Sequence, residues 1–92
     1  MKIIFTRQAI NDLQRLRQFI EIHNKKAAAK IAQRLRDAIK RLQDFPLLGI
    51  AIKNELGLHL RELVVDKYLV SYLVSDDKIY ILQIWHGKEH LD

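Results

Sequence analysis

The stretch that decides the fold is residues 58–86, which read LHLRELVVDKYLVSYLVSDDKIYILQIWH. Three runs rich in Val, Ile, Leu and Tyr are separated by two polar pairs, Asp66-Lys67 and Asp76-Asp77. Short polar breaks between such runs are typical of β-hairpins, in which neighbouring strands are antiparallel. The stretch therefore predicts an antiparallel meander of three strands over residues 58–65, 68–75 and 78–86.

The part of the chain before this stretch alternates briefly and then becomes helical. Residues 2–6 have the period of a strand, whereas residues 7–23 and 24–44 carry apolar side chains three and four positions apart, as amphipathic helices do. Thr6 is a candidate N-cap of the first helix, and Asn24 can end the first helix and cap the second. Helices joined by so short a turn are expected to form an antiparallel hairpin.

The order of these patterns, β-α-α-β-β-β, predicts an α+β protein. A helical hairpin is expected to pack on a small, mostly antiparallel sheet. The chain of 92 residues is the size of a single domain, residues 1–92, and its 49% hydrophobic content is enough for a modest core.

Composition excludes several classes of site. The chain has no cysteine, so a disulfide, a thiolate metal site and a cysteine nucleophile are all excluded. No two of its four scattered histidines have the helical i,i+4 spacing of metal ligands, and the sequence does not place carboxylate partners for them, so neither a metal site nor a cofactor is predicted. The N-terminus alternates as a strand, and no apolar run approaches the ~20 residues that cross a bilayer. We therefore expect a soluble, cytoplasmic protein.

Charge is concentrated in the predicted helices. Ten of the 16 Lys and Arg residues lie in residues 7–44, against four acidic residues, so this segment carries +6 while the formal net charge of the chain is +5. One interpretation is a solvated helical face. The other is a surface for a polyanion or an acidic protein partner, because clustered charge steers association.

Strand register predicts which side chains share a face of the sheet. Two-residue loops would place Arg61 opposite Tyr72, and Tyr72 opposite Ile81. Alternation then predicts two faces. An aromatic and polar face, expected to be the functional face and to be open or closed depending on what covers it, contains Arg61, Tyr68, Tyr72 and Trp85. A leucine-rich face, expected beneath the helices, contains Leu60, Leu73 and Leu82. A single β-bulge would invert half of this assignment.

Several local patterns occur in an order that suggests a family. They are Ala9-Ile10-Asn11-Asp12-Leu13, Phe19-Ile20, Leu42 followed by Phe45-Pro46 and Gly49, Leu60-Arg61-Glu62-Leu63, Tyr68-Leu69-Val70-Ser71-Tyr72, and Ile84-Trp85-His86-Gly87-Lys88. With the opening strand, this series resembles the RelE/ParE superfamily of type II toxin–antitoxin toxins over nearly the whole chain. The long helical hairpin and the Ile84-Trp85-His86-Gly87 ending look more like the ParE branch.

The resemblance implies a toxin that inhibits DNA gyrase and replication and is neutralised by a cognate antitoxin, with which it forms an oligomer. ParE-type toxins are known to act in this way, by binding. The RelE branch implies the alternative, a ribosome-dependent mRNA endonuclease. A second alternative is a degenerate, non-toxic member that only binds the antitoxin.

The candidate site residues differ between these functions. Metal-independent RNA cleavage needs a base, an acid and cations for the phosphorane; Arg61, His86 and Lys88 are the catalytic candidates if the nuclease alternative holds. For binding the antitoxin or the target, the candidates are Arg61, Tyr68, Tyr72, Trp85, His86 and Lys88. Arg61 also has a structural interpretation, in which it stacks on Tyr72 and pairs with a carboxylate such as Glu62.

Overall fold

The protein is represented by a computed structural model that describes residues 1–87. Its elements in chain order are β1 (Lys2–Phe5), α1 (Arg7–His23), α2 (Lys25–Arg41), β2 (Ile50–Ile52), β3 (Leu60–Val65), β4 (Tyr68–Ser75) and β5 (Lys78–His86). The bounds predicted for α1, β4 and β5 are confirmed, and β1, β3 and α2 are slightly shorter than predicted. The predicted α+β class, with a helical hairpin on one sheet, is confirmed.

Both predicted helix caps are present. The Thr6 hydroxyl accepts a hydrogen bond from the Ala9 N–H at 3.2 Å, and it donates to the Ile81 carbonyl at 2.9 Å, so the cap also attaches α1 to β5. The Asn24 N–H donates to the Ile20 carbonyl at 2.7 Å, while the Asn24 side chain accepts from the Ala27 N–H at 3.1 Å. Asn24 therefore ends α1 through its backbone N–H and caps α2 through its side-chain oxygen.

The sheet has five strands in the order β1-β5-β4-β3-β2. β1 pairs with β5 in parallel, and the other pairs are antiparallel. Both hairpin loops hold two residues, and their first residues, Asp66 and Asp76, have φ of 54°. Aspartate tolerates this left-handed region better than most non-glycine residues. β2 was not predicted, because three residues inside the loop after α2 are too few to show an alternating pattern.

The register within the meander is confirmed. Arg61 lies opposite Tyr72, and Tyr72 lies opposite Ile81. The register then shifts between Ser71 and Tyr72, because Gln83 pairs with Ser71 and leaves Leu82 as an extra residue in β5. This β-bulge reverses the alternation along the last part of β5.

The prediction of which face lies beneath the helices is wrong for most of the sheet. The buried core joins Leu16 of α1 and Leu35 of α2 to the face that carries Tyr72. The residues of that face that are fully buried are Val70, Tyr72, Ile79, Ile81 and Ile84. Leu60, Leu73 and Leu82, which were expected there, are only partly buried and lie outside this core cluster. Both faces are rich in apolar residues, so alternation alone does not choose between them.

The bulge explains why Trp85 nevertheless lies on the open face. Without it, the period of two would place Trp85 on the same side as Ile79 and Ile81. After the extra residue at Leu82, Ile84 turns into the core and Trp85 turns towards the open face, where it lines a groove with Leu60. The open face is therefore the leucine-rich face with Trp85 added to it.

Candidate functional site

Arg61 and Tyr72 hold the loop that follows α2. One guanidinium nitrogen of Arg61, Nη1, donates to the Gly49 carbonyl at 2.6 Å and to the Leu47 carbonyl at 3.1 Å. The Tyr72 hydroxyl donates to the Pro46 carbonyl and accepts from the Gly49 N–H, both at 2.8 Å. We call these two side chains the loop clamp. Arg61 thus has a structural role, but its partners are backbone carbonyls and not the predicted carboxylate.

The loop clamp requires a glycine at position 49. A Cβ added to Gly49 would lie 2.8 Å from the Tyr72 ring and 2.9 Å from the Glu62 carbonyl oxygen. Burial raises the pKa of the Tyr72 hydroxyl above its ordinary value of 10.0, and the hydrogen bond from Gly49 and the charge of Arg61 oppose part of that rise. The Tyr72 hydroxyl is therefore a neutral, buried hydrogen-bonding group.

The clamped loop presents large apolar side chains to solvent. Phe45 and Leu47 are 63% and 64% exposed, and Leu48 and Ile50 are also exposed. We call these four residues the apolar loop surface. Its backbone is fixed by four hydrogen bonds from the loop clamp, so a partner that covers it pays little ordering entropy. Clustered exposed apolar groups on a small protein mark an interaction site.

A groove of about 760 Å³ lies on the open face of the sheet. Its apolar lining comes from Ile52, Leu60, Leu82 and Trp85, which belong to three strands. We call it the open-face groove. The remaining lining residues are polar or charged, namely Thr6, Gln8, Glu62, Ser71 and Gln83. An apolar floor with polar edges suits an extended or helical protein segment.

Asp12 holds the bulged part of β5. Its carboxylate is 5% exposed, and Oδ2 accepts a hydrogen bond from the Ile84 N–H at 2.9 Å. Oδ1 accepts from the Gln8 side chain at 2.8 Å and lies 3.6 Å from Arg15 Nη2. A buried backbone N–H after a bulge needs such a partner. Asp12 therefore supports the position of Trp85, a role that the sequence did not indicate.

The structure places the other candidate residues at the far end of the sheet from Arg61. Tyr68 is 7% exposed, and its ring contacts His86 edge-on, with ring centroids 5.2 Å apart. Tyr68 and Tyr72, predicted on the functional face away from the helices, are thus both buried beneath the helices. Lys88 lies outside the described residues.

Arg61 and His86 do not converge. Arg61 is level with Tyr72 of β4 and His86 is level with Tyr68, so four residues separate them along the strands. At about 3.4 Å per residue this is roughly 13 Å, and two strand spacings of about 4.8 Å are added across the sheet. The fold therefore does not bring the backbones of Arg61 and His86 together at one point of the sheet.

Two further features concern only the part of the chain that the structure describes. Within residues 1–87, no group of three or more His, Asp or Glu side chains is placed to hold a metal ion. In the same range, neither helix is long and apolar enough to cross a membrane.

Comparison with known proteins identifies the class to which this helical hairpin on a five-stranded sheet belongs. A family model described as the ParE toxin of the type II toxin–antitoxin system, parDE, matches residues 3–91. Toxin RelE2 from Caulobacter vibrioides is 33% identical over 87 residues, which cover 94% of each chain. The chain therefore belongs to the ParE toxin family, within the RelE/ParE superfamily.

Solved structures share the fold. A chain from the chromosomal ParDE system of P. aeruginosa superimposes with a TM-score of 0.78 at 24% identity, covering 94% of this chain and 95% of that one. A copper-bound mutant toxin from Helicobacter pylori has a TM-score of 0.69 at 18% identity, covering 97% of each chain. As a type II toxin of this superfamily, the protein has a cognate antitoxin as its implied partner.

Proposed function

We propose that this toxin inhibits DNA gyrase by binding and thereby stops replication, until its cognate antitoxin sequesters it in an oligomeric complex. The family match over residues 3–91 supports a ParE-type target. The observation that carries the proposal is the geometry of Arg61, whose Nη1 donates to the carbonyls of Leu47 and Gly49 and thereby holds the apolar loop surface. A toxin that acts by binding needs no convergent acid and base.

The binding surfaces proposed for this function are the apolar loop surface and the open-face groove. The apolar loop surface lies at the end of the sheet where Arg61 and Tyr72 act as positioning residues. Trp85 contributes directly to the groove. His86 packs against Tyr68 on the covered side of the sheet, so it lies outside this groove and stays a predicted contact. Lys88, which lies outside the described residues, stays a predicted contact to the target or the antitoxin.

Purified gyrase provides the decisive experiment. The toxin is titrated into a supercoiling reaction, with and without the product of the adjacent antitoxin gene. We expect loss of supercoiling, accumulation of cleaved DNA and reversal by the antitoxin. Unchanged supercoiling at a large molar excess of folded toxin would refute the gyrase target.

Two matched double variants test the apolar loop surface. Phe45→Ser with Leu47→Ser removes two exposed side chains from this surface, whereas Phe19→Ser with Ile22→Ser removes two equally exposed ones from the tip of the helical hairpin. We expect the loop variant to lose inhibition or antitoxin binding by at least about tenfold, since central apolar contacts dominate interfaces. The tip variant should retain both. Equal losses would mean that general apolar exposure, and not this surface, is responsible.

The second candidate function is mRNA cleavage on the ribosome, which the name of the 33% identical relative, Toxin RelE2, favours. Induction of the toxin alone in cells separates the candidates. Filamentation with a DNA-damage response supports gyrase inhibition, whereas translation arrest with cut mRNA supports the nuclease. Unhindered growth with intact antitoxin binding supports a non-toxic member.

A further inference from the structure

The outer side of the helical hairpin is a continuous cationic surface. Apart from Arg34, which pairs with Asp66, the exposed cations on α2 are Lys25, Lys26, Lys30, Arg36, Lys40 and Arg41. Lys25 and Arg36 line a groove between the helices opposite Arg17 of α1, over a floor that includes Ala29 and Ala32. We call these seven cations the basic helical surface.

The acidic residues of the hairpin offset only part of the charge of this surface. Asp12 is buried and binds the Ile84 N–H, and Glu21 pairs with Arg17 at 2.9 Å. Asp37 accepts a hydrogen bond from Gln33, a neutral side chain. Within residues 1–87, no ion pair joins a carboxylate to any of the six α2 cations of the basic helical surface. Their charge is therefore available to an external anion.

We propose that the basic helical surface contacts the phosphate backbone of duplex DNA without reading its sequence. The inference rests on the proposed function, in which the toxin acts on gyrase while gyrase holds DNA. It adds a nucleic-acid contact to the protein contacts made by the apolar loop surface and the open-face groove. Lys and Arg contacts to phosphates position a protein on DNA but carry no sequence information.

The extent of the surface favours DNA over an acidic protein segment. The α2 helix has 17 residues and is about 25 Å long at 1.5 Å per residue, and its cations extend from the first turn to the last. Duplex DNA presents one negative charge per ~1.7 Å of its axis, so it matches charge over this whole length. The interhelical groove itself has a floor of small alanine side chains and walls of polar and charged ones.

Two triple variants with the same change of charge test the assignment. The first variant removes three of the seven charges of the basic helical surface by Lys26→Gln, Lys30→Gln and Arg36→Gln. Glutamine is used because it preserves helix propensity. Lys53→Gln, Lys67→Gln and Lys78→Gln remove three exposed positive charges outside the hairpin and serve as the control. Far-ultraviolet circular dichroism checks that both variants fold.

Binding to a labelled duplex of about 20 base pairs is measured by fluorescence anisotropy between about 50 and 200 mM salt. We expect the helical variant to lose at least about tenfold in affinity, with the slope of log K against log salt reduced in magnitude by about 2.7, or roughly 0.9 for each phosphate contact removed. The control should stay within about twofold of the wild type. Equal losses in both variants, or no wild-type binding, would overturn the inference.

A labelled poly-glutamate peptide distinguishes the acidic-protein alternative. The inference would be contradicted if peptide binding depended on Lys26, Lys30 and Arg36 while DNA binding did not. The partner of the basic helical surface would then be an acidic protein and not DNA. The gyrase assay keeps the two proposals separable. If the triple variant of the helices binds DNA as the wild type does and inhibits gyrase at wild-type potency, only the DNA contact is refuted. If DNA binding depends on Lys26, Lys30 and Arg36 but the wild-type toxin does not inhibit gyrase, only the gyrase target is refuted.

Discussion

The two faces of the sheet have similar side chains but different surroundings. On the covered face Val70, Tyr72 and Ile81 are fully buried, whereas Leu60 and Leu82 on the open face are only partly buried. The faces differ in the hydrogen bonds that their polar side chains make. The Tyr72 hydroxyl reaches the Pro46 carbonyl and the Gly49 N–H only because its face is the one that the helices and the following loop cover. Either face is apolar enough to be buried, but only burial of the face that carries Tyr72 gives its hydroxyl these hydrogen-bond partners.

The largest expected effect compares neighbouring residues on opposite faces. Ile81→Ala should lower the free energy of unfolding by about 3–4 kcal/mol, because it leaves a cavity in the core. Leu82→Ala should cost about 1 kcal/mol, because its side chain already contacts the open-face groove. Urea denaturation at pH 7 measures both. Comparable losses would mean that the open face is covered within the monomer as thoroughly as the other.

An intermediate effect tests the support of the bulge. Asp12→Ala removes the acceptor of the buried Ile84 N–H and should destabilise the fold by about 2 kcal/mol. Asp37→Ala, an exposed acid on α2 that also accepts one hydrogen bond, should change stability by less than about 0.5 kcal/mol. Because the chain has one tryptophan, fluorescence reports directly on Trp85. A destabilised Asp12→Ala protein whose native emission matches the wild type would show that β5 keeps its bulge without Asp12.

The smallest expected effect concerns the loop clamp. Tyr72→Phe leaves the Pro46 carbonyl and the Gly49 N–H without their shared partner and should cost roughly 1.5 kcal/mol at pH 7. Tyr80→Phe, a partly buried tyrosine on the open face, is the matched control and should cost less than about 0.5 kcal/mol.

The raised pKa of Tyr72 gives this comparison a pH dependence. The folded protein holds the Tyr72 proton more tightly than the unfolded chain, so the associated stability is complete below about pH 10 and is lost as pH rises through the folded pKa. The advantage of the wild type over Tyr72→Phe should therefore shrink above pH 10. A constant difference between pH 8 and pH 11 would contradict the burial of this hydroxyl.

Local signals predicted most of the fold. Thr6 and Asn24 cap the helices as predicted, and the polar pairs at 66–67 and 76–77 are the hairpin loops, because caps and turns depend on residues only a few positions apart. β2 was not predicted because its three residues form a strand only by pairing with β3. The pairing of Arg61 with Tyr72 was predictable from loop length, whereas their contacts with the loop after α2 were not.

The candidate site was predicted less completely than the fold. The exposed apolar cluster at Phe45, Leu47 and Leu48 had a signal in the sequence, since large apolar residues surround a proline in an otherwise irregular segment. Asp12 had no such signal, because an acid on a helix is usually solvated. Its burial depends on a strand 72 positions away in sequence.

The sequence by itself determined the order of both helices and of every strand but β2, the loop lengths of the hairpins and the excess of positive charge on the helices. These properties follow from periodicity, caps and composition, which act over short distances along the chain, and a series of local patterns carried the resemblance to the family. Only the tertiary structure decided which face of the sheet is covered, where β5 bulges and what Arg61 binds. Those outcomes depend on whether buried polar groups from distant segments find partners, and only the folded chain brings the partners together.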